Sequence, residues 1–173
     1  MQVYIPATVP MLQRLVADGS LRPVNGTAFA VTPTLREAYA QGDDDELADV
    51  ALREAALASL RLLAAHEAEG ADETPRPRRA VLAAEVDLGE SGVTFRPDLD
   101  DAVVRLAGPV AIDRVVAAYV DNADAEPAVV NAIEAIDAAD LGDEDADLIV
   151  GDAQDFDLAW YANQELPFLL ELL

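Results

Sequence analysis

The side chains able to do chemistry are few in kind. There is one histidine, His66, and no cysteine, and every one of the eleven basic residues is arginine. Without cysteine there is no disulfide, no thiolate nucleophile, no Cys-ligated zinc and no iron–sulfur cluster. A single histidine cannot build a multi-His metal site. His66 lies near the end of a long helical pattern, where a solvated histidine is expected rather than a catalytic one. Only Ser20, Ser59 and Ser91 could serve as serine nucleophiles. The glycines form neither a P-loop nor a G-x-G-x-x-G pattern, so no phosphate cradle is visible. No cofactor is implied.

Carboxylates are the abundant reactive group: 34 acidic residues give a formal net charge of −23. Asp137, Asp140, Asp143, Glu144, Asp145 and Asp147 bring a calcium loop to mind, but the spacing fails. Counted from Asp140, the third position is Gly142 and the sixth is Asp145, where an EF-hand needs an acid and a glycine. A solvated helix boundary accounts for them. Asp43-Asp44-Asp45-Glu46 suits the positive end of a helix dipole better than one shared ion. Arg76-Pro77-Arg78-Arg79 could grip a phosphate; the plainer reading is a loop whose arginines meet the chain's own acids.

The segment with the most recognition chemistry is Trp160-Tyr161-Ala162-Asn163-Gln164-Glu165. It holds the only tryptophan, a tyrosine and three polar side chains at a strand-to-helix junction, a place where α/β folds often bind ligands. Trp160, Tyr161, Asn163 and Glu165 are therefore candidate binding residues, with Tyr4 and Thr8 of the first strand and helix start beside them. Arg36 and Tyr39 could complete such a pocket. The competing reading makes Trp160 core and Asn163 a helix cap.

The elements that must position these residues follow from periodicity. Val3-Tyr4-Ile5 is a strand ended by Pro6. Thr8 is a plausible N-cap, and Met11, Leu12, Leu15 and Val16 recur at helical spacing up to Gly19. Val24 to Thr27 is a turn before a strand over 28–31, and Thr32-Pro33 opens a helix. The run from Asp43 to about Glu69 is a long helix whose wide apolar stripe implies packing on more than one side. Strands are expected over 80–86 and 102–106, and 114–120 reads as a strand or a helix, with loops near 70–79 and 88–100. A helix over 124–139 and a short acidic helix or turn over 143–150 follow. Phe156, Leu158 and Trp160 then alternate with polar or small residues at strand period. Asn163 starts a last helix, with Pro167 in its first turn. Its Leu166, Phe168, Leu169, Leu170, Leu172 and Leu173 cannot all face one side.

The order is βαβααβββαβα. It lacks strict βα alternation, so the expectation is one α+β domain over 1–173 with a mixed sheet and packed helices. Met1 to Gln13 holds Pro6 and Pro10 and lacks a basic start, so it reads as strand into helix rather than as a signal peptide. The longest charge-free runs, 1–13 and 23–35, are too short to span a bilayer.

The stretches Val3-Tyr4-Ile5-Pro6-Ala7-Thr8, Gly26 to Thr32, and Leu158-Ala159-Trp160-Tyr161 through Glu165-Leu166 resemble an uncharacterised family of actinobacterial proteins. The resemblance runs over most of the chain and is weakest over 70–100. It implies a bacterial cytoplasmic setting and carries over no catalytic residue.

Composition narrows function further. An acidic surface repels phosphate backbones and anionic lipid, so neither nucleic acid nor a membrane is an expected partner. The leading expectation is a non-enzymatic interaction or regulatory module that meets a basic protein. The second is a small-molecule-binding protein or enzyme with its pocket at the Trp160/Tyr161 junction.

Overall fold

A computed structural model describes residues 1–39, 41–68, 76–87 and 92–173. Its frame is a seven-stranded sheet in the order β5-β6-β3-β1-β4-β8-β9. The strands are β1 (Gln2–Ala7), β3 (Thr27–Phe29), β4 (Ala80–Glu85), β5 (Val93–Phe95), β6 (Val103–Leu106), β8 (Val115–Val120) and β9 (Ala159–Ala162). A small second sheet pairs β2 (Ser20–Leu21) with β7 (Val110–Ala111). The helices are α1 (Val9–Asp18), α2 (Pro33–Ala38), α3 (Asp44–Ala68), α4 (Glu126–Asp140), α5 (Glu144–Gln154) and α6 (Leu166–Leu172).

The α+β class stands, but the sheet is antiparallel at every pairing rather than mixed. The reason lies in the connection through α3. It takes the chain from β3 to β4, which flank β1 on opposite sides, so the two parallel strands never become neighbours. Pro6 does not end β1 either. It has no N–H to give β3, and that ladder stops at Tyr4↔Phe29, while β1 continues against β4 as far as Ala7↔Ala80.

Strand alternation divides the core in two. Val3, Ile5, Leu82, Ala84, Val115 and Ala118 face α1 and α6. Tyr4, Val81, Ala83 and Ala117 face the first half of α3, where Leu47, Ala51 and Ala55 lie. The second half of α3 leaves the sheet and buries Leu60 and Leu63 against Val129, Ile136 and Val150 of the α4–α5 hairpin. One helix serving two cores is what its wide apolar stripe required.

The expected acidic helix starts and the turn at 24–27 are present. Asp43 caps α3 by accepting from Glu46 N–H at 2.8 Å, and Asp143 caps α5 by accepting from Ala146 N–H at 2.9 Å. Gly26 sits at φ +69°, and a Cβ there would come within 2.7 Å of the Leu106 carbonyl oxygen, so β3 can start against β6 only with glycine. Others are corrected. Of the loop expected over 88–100, residues 88–91 lie outside the described residues, while Val93–Phe95 forms β5. The helix or turn over 143–150 is α5, which passes through Gly151 to Gln154. Of the loop expected over 70–79, residues 70–75 lie outside the described residues. Among the described residues, no helix is long and apolar enough to cross a membrane.

Candidate functional site

The Trp160 segment is held in place by two polar anchors. Arg79 is 1% exposed, and its guanidinium donates to both Asp121 carboxylate oxygens, at 2.9 and 2.7 Å. It also donates to Gln154 Oε1 at 2.8 Å and to the Phe156 carbonyl at 2.9 Å. One buried arginine thus joins the start of β4, the end of β8, the end of α5 and the lead-in to β9. Its neighbour Arg78 reaches Glu126 at 3.1 Å. These two arginines meet the chain's own acids.

The second anchor is Asn163, whose Nδ2 donates to the carbonyls of Ile112 at 2.8 Å and Val115 at 2.6 Å. Glu165 accepts from the Ala162 N–H at 2.9 Å, closing the turn from β9 into α6. On the far side of the sheet, the buried Ser59 of α3 donates to the Ala7 carbonyl at 2.7 Å and accepts from the Ala80 N–H at 3.0 Å, fixing α3 over β1 and β4.

Within this frame, β9 is an edge strand paired only with β8, in the register Ala118↔Tyr161 and Tyr119↔Trp160. Directly opposed residues share a face, and successive residues alternate. Tyr161 therefore packs on the α1/α6 side. Trp160 and Tyr119 lie on the α3 side, just beyond the strands that α3 covers. Trp160 is 58% exposed there.

Tyr4 shares that face. Its hydroxyl accepts from Gln2 Nε2 at 3.2 Å. Burial pushes the Tyr4 phenol above its ordinary pKa; nearby Tyr119 and the charges of Asp49 and Asp45 add to the rise, while the Gln2 hydrogen bond opposes it. Tyr119 is raised by burial and then by Asp49. Asp45 and Asp49 are exposed and one helical turn apart on α3; Asp49 acts on both hydroxyls and Asp45 on that of Tyr4.

The structure therefore brings Tyr4 and Trp160 to one face of the sheet, with Gln2, Asp45 and Asp49 near Tyr4 and with Tyr119 opposite Trp160. Tyr161 points to the other face. Asn163 and Glu165 tie backbone. Thr8 is buried at the other end of β1, about 13 Å along the strand from Tyr4. Arg36 pairs with Asp44 at 2.5 Å, and Tyr39 is exposed. Asp45, Asp49 and Tyr119 carry no signal in the sequence: the helix and strand are legible, but the faces they turn to each other are not.

The surface is shallow. The cavity beside Leu158, bounded by Leu52, Ala56, Arg79 and Phe156, holds about 50 Å³, far below the ~300–1,000 Å³ of a small-molecule pocket. A larger groove of about 380 Å³ lies between α4 and α5, along Ala128, Asn131, Glu134 and Ile149. Grouped ligands for a metal ion are absent among the described residues. No curated protein and no solved structure matches the chain. The family model of DUF6912, a family of unknown function, matches residues 1–170, and the chain belongs to that family.

Proposed function

We propose that this chain is a non-enzymatic interaction module that takes a basic protein partner at the exposed face of β8 and β9. One observation carries the reading: the only tryptophan lies 58% exposed on the edge strand β9 of a chain whose net charge is −23. Large aromatic side chains and arginine are typical anchors of a protein interface, and an exposed indole on a strongly acidic chain suits a cationic partner. The net charge of −23 steers basic partners in and repels nucleic acid and anionic lipid. A cytoplasmic setting, as the family resemblance implies, belongs to the same reading.

The small-ligand reading has less support. Trp160 and Tyr161 project to opposite faces, and the cavity beside Leu158 is too small for a metabolite.

Calorimetric titration with an arginine- and lysine-rich peptide tests the proposal. Binding should be measurable at about 50 mM salt and weaken steeply towards about 300 mM, as screening shortens the reach of the charges. Duplex DNA in a parallel gel shift should stay free at about 150 mM salt. A chain that ignores the peptide at low salt, or holds DNA at about 150 mM salt, contradicts the reading.

A further inference from the structure

Resting on that reading, we propose that the partner binds by strand addition. An extended basic segment pairs with the free edge of β9 and joins the seven-stranded sheet as a further strand, with the Trp160 N–H and carbonyl as the central main-chain groups of the pairing.

Two hydrogen bonds fix which way the backbone of β9 faces. The Asp121 N–H donates to the Arg79 carbonyl at 3.1 Å, so Asp121 faces β4. Backbone groups along a strand point alternately to its two sides, so Tyr119 and Ala117 also face β4, while Val120 and Ala118 face β9. The residues opposite those two, Ala159 and Tyr161, therefore hold β9 to β8, and Trp160 and Ala162 turn their N–H and carbonyl outward. The Ala162 N–H agrees, since it donates to Glu165 and not to β8. The outward N–H and carbonyl of Trp160 have no partner among the described residues, and no helix there runs along the outer side of β9.

The strand does not guard this edge. Edges are commonly blunted by charge, proline or a bulge, and Ala159-Trp160-Tyr161-Ala162 has none of these. β5, at the other edge of the sheet, is three residues long and runs into Arg96-Pro97.

Charge supplies the occupant. Arg114 is the last basic residue of the chain, so everything from β8 onward carries carboxylates and no cation of its own. The exposed Asp155 and Asp157 lie before β9 and the exposed Glu165 after it. A second copy would set these acids against their own kind: antiparallel pairing about Trp160 brings Asp155 and Asp157 of one strand towards Glu165 of the other, and facing like charges destabilise a strand pair. A basic segment meets the same acids with opposite charge.

The test uses the arginine- and lysine-rich peptide in three forms of equal charge: unmodified, N-methylated at every second amide, and N-methylated at every amide. A strand turns alternate amides towards its neighbour, so the half-methylated peptide should bind nearly as well as the unmodified one, with its methyl groups facing away. The fully methylated peptide should lose about 2- to 10-fold for each main-chain bond it cannot make. On the protein side, hydrogen exchange followed by NMR should find the Trp160 amide fast in the free chain and slowed in the complex. Trp160→Val keeps the amide and drops the indole. Trp160→Pro drops both, at a position where an outward-facing edge tolerates proline, and should bind more weakly than Trp160→Val. Should Trp160→Pro lose its fold, the methylated peptides and the Trp160 amide decide the matter. If the unmodified peptide does not bind, the interaction reading itself fails. If all three forms bind alike, or the Trp160 amide stays fast in the complex, strand addition is wrong while the interaction reading stands. A free chain that is already dimeric, with its Trp160 amide protected, makes the occupant a second copy and overturns the proposal.

Discussion

Arg79 and Asp121, both buried, share four hydrogen bonds: two from the guanidinium, at 2.9 and 2.7 Å, one from the Arg79 N–H to Asp121 Oδ2, at 2.8 Å, and one from the Asp121 N–H to the Arg79 carbonyl, at 3.1 Å. Gln154 and the Phe156 carbonyl take further guanidinium protons, so the buried charge is paired and hydrogen-bonded.

Removing one partner strands the other. Asp121→Ala should destabilise the fold by about 3–5 kcal/mol, because the guanidinium stays buried without its anion. That is a large share of the ~5–15 kcal/mol available to a domain. Arg79→Lys keeps the charge but not the fork, and should cost less than Asp121→Ala. Urea denaturation of the two variants checks the order. A midpoint for Asp121→Ala equal to the native one would show that the network carries no stability.

The C-terminal helix makes a second prediction. The sequence predicts that its apolar residues cannot all face one side, and they do not. Leu166 and Leu169 are buried, Leu170 and Leu173 pack partly against the same core, and Phe168 and Leu172 are 69% and 86% exposed. Leu166→Ala should therefore cost about 2–5 kcal/mol, whereas Phe168→Ala should stay within about 0.5 kcal/mol. Deleting 163–173 also removes Asn163, which ties β9 to the start of β8. The truncated chain should unfold or aggregate, and an unchanged thermal midpoint would mean that α6 is not part of the core.

Two carboxylates should respond to acid with opposite signs. Arg61 donates to both oxygens of Asp140, at 3.0 and 2.9 Å, and holds that carboxyl below its ordinary 3.8. Its contribution is fully present above pH 3.8 and is lost as pH falls through the lowered value. Both partners are largely exposed, so Asp140→Asn should cost no more than about 1 kcal/mol at neutral pH. The loss should vanish at the acid end. Burial, and then the charge of Asp100, raise Glu54 above its ordinary 4.5. The fold favours its protonated form, so a penalty grows as pH rises from 4.5 through the raised value. Glu54→Gln should therefore stabilise the chain at neutral pH and leave it unchanged well below 4.5. Denaturation midpoints at neutral and acid pH check both signs.

Most elements were readable because their residues repeat at 3.6 or at 2. The Phe156, Leu158, Trp160 alternation marks β9, although its first residues serve instead as the lead-in that Arg79 holds. The same alternation already implies that Trp160 and Tyr161 diverge, which a shared pocket at the junction overlooks. β5 is three residues between Gly92 and Pro97, too short to show a period. Gly151 suggests a helix end that α5 does not take. The site itself depends on pairings 40 residues and more apart in the chain: Arg79 with Asp121, Tyr119 with Trp160, and α3 over Tyr4. Periodicity gives the face of each element and says nothing of which faces meet.

The indole of Trp160 tests the account most directly, because it is the only tryptophan and therefore reports from the proposed interface alone. Quenching of its emission by acrylamide should be efficient in the free chain, as 58% exposure requires. It should fall when the chain is saturated with the arginine- and lysine-rich peptide and recover when salt releases the peptide. Quenching that is unchanged while the peptide is bound would place the partner elsewhere and contradict the account.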